Sequence, residues 1–389
     1  MVTFIHTADW QLDKPFSRVC DDEKRSLLRR ERIEAIRRIG TLVRAKNAAF
    51  VVVAGDVFDS NTPSNETVSA VCDAIRSIGV PVYVIPGNHD HAGPGSIWEQ
   101  SFFIAESRER AANLHVLLDA APVEAADSLL LPCPLIRRKS MEDPTAWIRD
   151  FDFGGLDAQP RIVIAHGSTL DFQQAGDEED HGRQANHIEL AKLPMHERDY
   201  LALGDWHGMV QAGQKAWYSG SHETDRYPKK GQTTGHVAVV QAGRGTEPVV
   251  QRERTGRTQW LDHTETFASD AGPATLREAL DDLVGAAERG LCLLRLTLGG
   301  SLGLAGHSDL SELLTSWQAG LLDLRLLKDV SVAPTVDEID ALTRAIGHPL
   351  IAQVAGELKT QMNQGGPDAA VAGTAIALLH EFVRAGDAR

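Results

Sequence analysis

Five short polar motifs occur between residues 9 and 207, and each contains side chains that bind metal ions or transfer protons in enzymes. They are Asp9-Trp10-Gln11, Gly55-Asp56-Val57-Phe58-Asp59, Gly87-Asn88-His89-Asp90, His166-Gly167 and Gly204-Asp205-Trp206-His207. Each motif alone is weak, because an aspartate or asparagine that follows a strand is most often a turn residue. Together they offer the carboxylate, imidazole and amide ligands that two divalent cations ~3.5–4 Å apart require for the hydrolysis of phosphate esters.

The elements that must position these motifs are predicted strands separated by helical segments. Runs of β-branched and apolar residues precede the motifs, at Val2–His6, Phe50–Ala54, Val80–Ile85, Arg161–Ala165 and Tyr200–Leu203. Between the first two runs, apolar residues recur at helical spacing within Asp22–Ala45. This alternation predicts βαβ units, whose strand ends meet at one edge of a sheet, where α/β enzymes place their sites. Further strands are predicted at Trp217–Ser219, His236–Gln241 and Pro248–Arg252, which extends the first domain over residues 1–265.

The character of the sequence changes near residue 265. A predicted amphipathic helix, Thr275–Arg289, precedes two alternating strands, Leu293–Leu298 and Leu321–Leu327, that flank another helix. These elements predict a small α+β domain over residues 266–335. The capping box of Thr335 and Glu338 begins a helix that we expect to end at Gly347. Two more helical patterns complete residues 336–389, a helical segment that could dock a partner.

The charge of the chain limits what it can bind without help. The sequence has 39 lysine and arginine residues against 54 aspartate and glutamate residues, a formal net charge of −15. Proteins that bind nucleic acid unaided are usually basic. A phosphodiester substrate remains compatible with this charge, because bound cations reverse the local field, and a partner could supply basic surface. Arg226, Lys229 and Lys230 could touch a nucleic-acid backbone, although such a cluster is more often a solvated turn.

The cysteines and the apolar segments indicate the compartment. Cys20, Cys72, Cys133 and Cys292 are scattered, without the spacing of a metal site or a disulfide framework. No apolar stretch reaches membrane-spanning length, and the first residues lack the pattern of a signal peptide. We therefore expect a soluble cytoplasmic protein with no membrane partner.

The order of the motifs resembles that of the calcineurin-like metallophosphoesterases. The strings HTADWQL, VVVAGDVFDSNTPS, VYVIPGNHD, YLALGDWH and WYSGS further resemble the SbcD-type DNA repair exonucleases, in particular their bacterial YhaO-like relatives. The resemblance extends to about residue 265, and the following segment is similar in position to the capping domain of that family. It implies an α/β fold: an αββα sandwich phosphoesterase core with a smaller C-terminal α+β capping domain and terminal helices.

The resemblance also implies a role for each motif residue. Asp56 would bridge two divalent metal ions. Asp9, Gln11 and His207 would complete one metal site, and Asn88, His166 and Asp205 would complete the other. His89 would stabilise the transition state or protonate the leaving oxygen, with Asp90 behind it. Asp59 would orient His89 by accepting a hydrogen bond, a role inferred only from its neighbouring motif.

Two residues depart from the family pattern, which usually has histidine at the positions of Gln11 and Asp205. The amide of Gln11 is a neutral and weaker ligand, whereas the Asp205 carboxylate is a hard, charged ligand. The shift from nitrogen to oxygen ligands favours manganese or magnesium over zinc. We therefore expect weaker metal occupancy at the Gln11 site. The alternative is a degenerate centre, retained for DNA or partner binding.

The leading functional interpretation is a manganese-dependent DNA exonuclease, and possible endonuclease, in DNA repair or defence. The family implies an SMC-like coiled-coil ATPase partner of the SbcC or YhaN type, and a homodimer is a further possibility. This sequence has no GxxxxGK(S/T) phosphate loop, so we expect ATP hydrolysis to come from such a partner. Two alternatives stay open: a phosphodiesterase for small nucleotides or phosphoproteins, and a catalytically silent scaffold subunit.

Overall fold

The computed structural model describes residues 1–19, 21–154, 159–169, 185–227, 229, 231–268, 272–284, 289–344 and 348–387. The chain divides into two compact units, Met1–Thr258 and Gln259–Arg389. The predicted boundary after residue 265 falls inside a strand, Gln259–Phe267, that pairs with a strand of the second unit. Because these hydrogen bonds tie the whole strand to the second unit, the boundary lies earlier than the sequence pattern indicated.

The first unit contains two six-stranded sheets. Across the first sheet the order is β12 (Val249–Arg254), β11 (His236–Ala242), β1 (Val2–Thr7), β2 (Val51–Ala54), β3 (Val82–Ile85) and β4 (Leu114–Val116). Across the second sheet it is β5 (Val123–Ala125), β6 (Ser128–Cys133), β7 (Arg161–His166), β8 (Tyr200–Gly204), β10 (Ala216–Tyr218) and β9 (Val210–Gly213). Strands β1 to β4 are parallel to one another, and so are β6 to β8.

Apolar side chains from both sheets form the core between them. Phe4, Phe50 and Val52 of the first sheet share a buried cluster with Ile162 and Ile164 of the second. The outer face of the first sheet packs against helices α1 (Asp22–Lys46), α2 (Asn65–Ile78) and α3 (Ser101–Arg110), as the continuous apolar runs of its strands require. The short helix α4 (Trp147–Asp150) packs against the second sheet. The predicted α/β sandwich core is confirmed.

The topology brings the predicted motifs together. The motifs of Asp9, Asp56 and Asn88 follow β1, β2 and β3, three adjacent parallel strands of one sheet. His166 ends β7 and Asp205 follows β8, two adjacent parallel strands of the other sheet. Strand β2 lies against β7 and β8, so the carboxyl ends of five strands meet at one edge of the sandwich.

The second unit is built on a three-stranded parallel sheet. Its elements are β13 (Gln259–Phe267), α5 (Ala274–Val284), β14 (Cys292–Leu302), α6 (Leu304–Gly320), β15 (Asp323–Val332), α7 (Val336–Thr343), α8 (Pro349–Gln364) and α9 (Pro367–Asp387). Strand β14 lies between β13 and β15, and both pairings are parallel. The structure adds a third strand, β13, to the two strands that the sequence predicts for this region. The capping box of Thr335 and Glu338 is confirmed, and the expected helix end at Gly347 lies outside the described residues.

Candidate metal centre

The loops after β1 and β2 continue to hydrogen-bond beyond the ends of their strands. The main-chain N–H of Gln11 donates to the main-chain carbonyl of Asp56 at 2.8 Å, and that of Asp9 donates to the carbonyl of Gly55 at 3.1 Å. The backbone is in the left-handed region at Asp9 (φ 53°), Gln11 (φ 39°), Asp56 (φ 57°) and Asp205 (φ 105°). Such conformations cost roughly 1–3 kcal/mol each in residues other than glycine. The paired loops hold these strained turns, which aim the side chains at the edge of the sandwich.

Three buried side chains form the centre of the site. Ligand atoms of Asp9, Asp56 and His166 all lie within 4.8 Å of one another. His166 Nε2 is 3.6 Å from Asp56 Oδ1 and 3.9 Å from Asp205 Oδ1. The Asp205 amide donates to Asp9 Oδ1 at 3.0 Å, which fixes the loop after β8 against the loop after β1. The two sheets therefore contribute to one cluster of ligands.

The orientation of the His166 ring follows from its neighbours. Nδ1 is 2.7 Å from the Ala54 carbonyl, which can only accept, so Nδ1 carries the proton. Nε2, which lies 2.9 Å from Asn88 Oδ1, is then the ring nitrogen that would bind a cation once its proton is displaced. Rotation of the Asn88 amide would instead let its nitrogen donate to His166 Nε2 at 2.9 Å and to Asp56 at 3.1 Å. The rotated orientation satisfies both groups without a cation, whereas binding of a cation by Asn88 requires its oxygen to face the cluster.

Two glycines provide the space for this cluster, because any side chain at their positions would overlap it. A Cβ atom on Gly87 would come within 2.2 Å of Asp56 Oδ1, and one on Gly55 within 2.3 Å of His166 Nδ1. Gly55 also has a φ of 88°, which other residues rarely adopt. The glycines of the GD and GN motifs are therefore required by close packing around the ligands.

The charges in the cluster fit a divalent cation. Burial, helped by the nearby Asp56 and Asp205 carboxylates and opposed by His166, raises the pKa of Asp9 to about 8. Burial lowers the pKa of His166, but the three carboxylates outweigh it and raise that pKa to about 9. Without a cation the cluster therefore retains protons at neutral pH, and a metal ion would displace them. A divalent cation held by Asp9, Asp56, Asn88, His166 and Asp205 would supply a nucleophile from water and neutralise phosphoryl charge.

His89 lies beside this cluster and is held by backbone groups. Its Nδ1 is 2.8 Å from the carbonyl oxygen of Asp59, and its amide donates to Asp56 Oδ1 at 2.9 Å. The atom of Asp59 that accepts this hydrogen bond is its main-chain oxygen and not its carboxylate. The carbonyl makes Nδ1 a donor, and the opposite ring nitrogen is then the one that can carry a proton to substrate.

Asp90 is fully buried and connects two of the site loops. Its carboxylate accepts from the amides of Gly87 at 2.7 Å, Val57 at 2.7 Å and Phe58 at 3.1 Å. Burial raises the pKa of Asp90 to about 7, while these amide donors act to lower it. Because both oxygens are engaged by main-chain groups, Asp90 positions the GD and GNHD loops and does not face the reacting atoms.

Gln11 and His207 have other partners. Gln11 Oε1 accepts from Lys14 Nζ at 2.7 Å, and Lys14 also forms a 2.7 Å ion pair with Asp225. His207 lies between Asp225 Oδ1, 3.2 Å from Nδ1, and Arg226 Nη2, 3.4 Å from Nε2. Within the described residues, the ligand atoms that lie within 4.8 Å of one another come from Asp9, Asp56 and His166 and not from His207.

Lys14 and Asp225 lie outside the five motifs, and the sequence predicts Arg226 either as a nucleic-acid contact or as part of a solvated turn. Lys14 follows the first motif by three residues, which is a local signal, whereas Asp225 is 211 residues away in sequence from Lys14. Of the basic residues named with Arg226, Lys229 is exposed and Lys230 lies outside the described residues. The half of the centre that the resemblance assigned to Gln11 and His207 therefore carries two cationic side chains.

The comparison with known proteins agrees with this geometry. The sequence profile of the calcineurin-like phosphoesterases matches residues 2–240. The chain belongs to this family. The matched range lies within the first unit and includes every residue of the metal cluster. Membership in the calcineurin-like phosphoesterases implies a phosphoester hydrolase, and the cluster of Asp9, Asp56 and His166 is its candidate site for a divalent metal.

Individual relatives are distant. The Bacillus subtilis (strain 168) protein named uncharacterized metallophosphoesterase YhaO is 29% identical over 128 residues, which cover 32% of this chain and 29% of that relative. The chain thus aligns with less than a third of the relative's length. The crystal structure of TT1561 of Thermus thermophilus matches with a TM-score of 0.40 and 11% identity, over 65% of this chain and 99% of that chain. In the part of the chain that the structure describes, the helices are too short or too polar to cross a bilayer.

Proposed function

We propose that this calcineurin-like phosphoesterase hydrolyses phosphodiester bonds of DNA as a nuclease dependent on manganese, with magnesium as the alternative metal. The observation that carries the proposal is the buried cluster of Asp9, Asp56 and His166, whose ligand atoms lie within 4.8 Å of one another at the ends of strands from both sheets. A cluster of this composition serves phosphate ester hydrolysis because it places a cation beside a proton donor, His89.

The choice of metal rests on the type of ligand atom. Asp9, Asp56 and Asp205 contribute carboxylates and Asn88 contributes an amide oxygen, whereas His166 contributes the one nitrogen of this set. Oxygen-rich sites favour manganese and magnesium over zinc. Asp205 is 36% exposed at its side chain, so this ligand borders the solvent from which substrate would arrive.

The choice of DNA as substrate rests on sequence. The strings around the five motifs resemble the SbcD-type exonucleases, and the chain keeps the Asn88-His89 pair on which leaving-group protonation would depend. In the reaction, the Asp59 carbonyl and the Asp56 carboxylate orient the His89 ring and backbone. The protonated ring would then donate from its opposite nitrogen to the departing oxygen.

Hydrolysis assays separate this proposal from its alternatives. Purified protein with manganese is offered linear duplex DNA, single-stranded DNA and bis(p-nitrophenyl) phosphate. We expect DNA degradation that His89→Ala reduces by about 10²–10⁴-fold, the usual contribution of a general acid. His91→Ala is the matched control, because His91 lies two residues away and pairs with Asn61. Turnover of the small diester alone would indicate a small-molecule phosphodiesterase, and no turnover with any metal would indicate a scaffold.

We also propose that the helices after Thr335 dock an SMC-like coiled-coil ATPase in the cytoplasm. Leu350, Val371, Leu378 and Phe382 of α8 and α9 are 74%, 67%, 63% and 72% exposed, which is unusual for large apolar side chains. The thiols of Cys72, Cys133 and Cys292 are buried and unpaired, as is usual in a reducing compartment. Co-purification with the ATPase tests the docking: Leu378→Glu with Phe382→Glu should abolish it, and retained binding would refute this surface.

A further inference from the structure

Two cationic side chains occupy the Gln11 side of the centre. Lys14 Nζ donates to Gln11 Oε1 at 2.7 Å and to Asp225 Oδ2 at 2.7 Å. Arg226 Nη2 lies 3.4 Å from His207 Nε2 and 3.3 Å from Asp225 Oδ2. The side chains of Lys14 and Arg226 are 21% and 39% exposed, so both border solvent, whereas the Asp225 side chain is fully buried.

This arrangement does not fit a second divalent cation. Glutamine binds a cation through its side-chain oxygen, and that oxygen already accepts from the Lys14 ammonium. Histidine binds a cation through an unprotonated ring nitrogen, and His207 Nε2 faces the Arg226 guanidinium. A divalent cation bound by Gln11 or His207 would therefore lie close to the positive charge of Lys14 or Arg226. The other half of the centre differs, because ligand atoms of Asp9, Asp56 and His166 lie within 4.8 Å of one another there.

Asp225 keeps the two cations in place. The Asp225 carboxylate lies 2.7 Å from Lys14 Nζ, 3.2 Å from His207 Nδ1 and 3.3 Å from Arg226 Nη2. The buried carboxylate therefore stays ionised and pairs with Lys14 on one oxygen and with His207 on the other. With two cations and one anion, this group of residues is positive by one charge, opposite to the acidic cluster of Asp9, Asp56 and Asp205.

We propose that Lys14 and Arg226 take the place of the second metal ion, so that the chain binds one divalent cation and holds the substrate phosphate with an ammonium and a guanidinium. The inference rests on the proposed function in that the substrate is a phosphodiester. The guanidinium fork matches two phosphate oxygens, and the ammonium adds a mobile point charge. Asp225 is a positioning residue for both. The residues at positions 11, 14 and 226 thereby reduce the number of bound metal ions in this chain from two to one.

Metal stoichiometry tests the replacement without any measurement of activity. Calorimetric titration with manganese should give one tight site in the wild type, and its Mn(II) paramagnetic resonance spectrum should be that of isolated ions. The triple variant Gln11→His with Lys14→Ser and Arg226→Ser removes both cationic side chains and supplies an imidazole, so it should bind a second ion and show an exchange-coupled spectrum. Lys192→Ser, an exposed lysine paired with Glu189, is the control. Two equivalents with exchange coupling in the wild type would overturn the proposal.

Phosphate binding tests the second part. Inorganic phosphate is titrated into the manganese-loaded protein and followed by ³¹P relaxation. Lys14→Gln and Arg226→Gln should each weaken phosphate binding by about tenfold or more, the loss expected for a charge-assisted hydrogen bond. Manganese affinity should stay unchanged or increase, because a neighbouring positive charge is removed. Unchanged phosphate binding in both variants would refute the assigned role. Normal phosphate binding and one metal ion without DNA cleavage would instead refute the nuclease function alone.

Discussion

Asp90 and Asp59 both make hydrogen bonds to the loops around His89, but they do so with different atoms. The Asp90 carboxylate accepts three main-chain amides, whereas Asp59 contributes its main-chain carbonyl to His89. We expect Asp90→Asn to lower the free energy of unfolding by about 2–3 kcal/mol, because its amide nitrogen would face donors in a buried site. Asp59→Asn should change it by less than about 0.5 kcal/mol, because the carbonyl remains. Urea unfolding of both variants measures the difference, and equal losses would contradict it.

His6 is a buried histidine of β1 that the mechanism does not use. It is fully buried, and its Nδ1 is 2.9 Å from the Tyr200 hydroxyl. Burial lowers the pKa of His6 from 6.5 to about 3. Between pH 6.5 and about pH 3, His6 binds a proton in the unfolded chain but not in the native protein. The contribution of His6 to stability is therefore present above pH 6.5 and is lost as the pH falls.

A comparison with His6→Gln isolates that contribution. From pH 6.5 to pH 5, the wild type should lose about 2 kcal/mol more unfolding free energy than the variant, at about 1.4 kcal/mol per pH unit. Urea unfolding at several pH values measures it. His196→Gln is the control, because the His196 side chain is 79% exposed and should show no such difference. Parallel pH profiles for wild type and His6→Gln would contradict the prediction.

For individual residues, the local motifs predicted the candidate metal ligands but not the side chains and carbonyl groups that contact them. Asp9, Asp56, Asn88 and His166 were predictable because each follows an apolar run that ends at the same edge. The ion pair of Lys14 with Asp225 joins residues 211 positions apart, and no periodic pattern encodes such a contact. The main-chain role of Asp59 is likewise invisible in sequence, because a carbonyl is common to every residue.

Among the secondary-structure elements, helix α1 contributes Arg32, whose guanidinium donates hydrogen bonds to the loops of the site. Arg32 is buried, and it donates to the carbonyls of Trp10 at 2.8 Å, Asp9 at 3.1 Å and Glu223 at 3.1 Å. Lysine cannot reproduce this fork, so Arg32→Lys should leave buried carbonyls without donors. We expect a loss of roughly 2–4 kcal/mol in unfolding free energy, measured by urea unfolding.

A conservative change on the same helix provides the comparison. Arg37 pairs with Glu34 and its side chain is 40% exposed, so Arg37→Lys should cost less than about 0.5 kcal/mol. Manganese affinity should also fall in Arg32→Lys and not in Arg37→Lys, because Arg32 holds the main chain of a ligand, Asp9. Similar stability and affinity in the two variants would show that Arg32 does not support the loops.

The accuracy of the element predictions depended on burial. Strands β1, β2, β7 and β8 were predictable, because burial on both faces requires continuous apolar runs. Strand β13 has mostly partly exposed residues in the sequence QWLDHTETF, and its position is set by pairing with β14. The short strands β5 and β9 have three and four residues, too few for a period to be recognised.

At the scale of the whole molecule, each unit has its own hydrophobic core. The first contains the sandwich clusters around Phe4, Val51 and Leu131, and the second contains a cluster around Leu294 and Trp317. The metal ligands all belong to Met1–Thr258. A bound cation should therefore stabilise the first unit directly and leave the unfolding of the second unit unchanged.

Calorimetry of the full chain with and without manganese measures this. A metal ion at about 100 times its Kd adds about 2.7 kcal/mol to the unit that binds it. For a unit of this size we expect that gain to raise one transition by roughly 5–10 °C. Asp56→Asn, which removes a carboxylate from the buried cluster, should abolish the shift and leave the second transition in place. If manganese raised both transitions equally, the metal would also stabilise the second unit, and the assignment of its effect to the sandwich alone would be wrong.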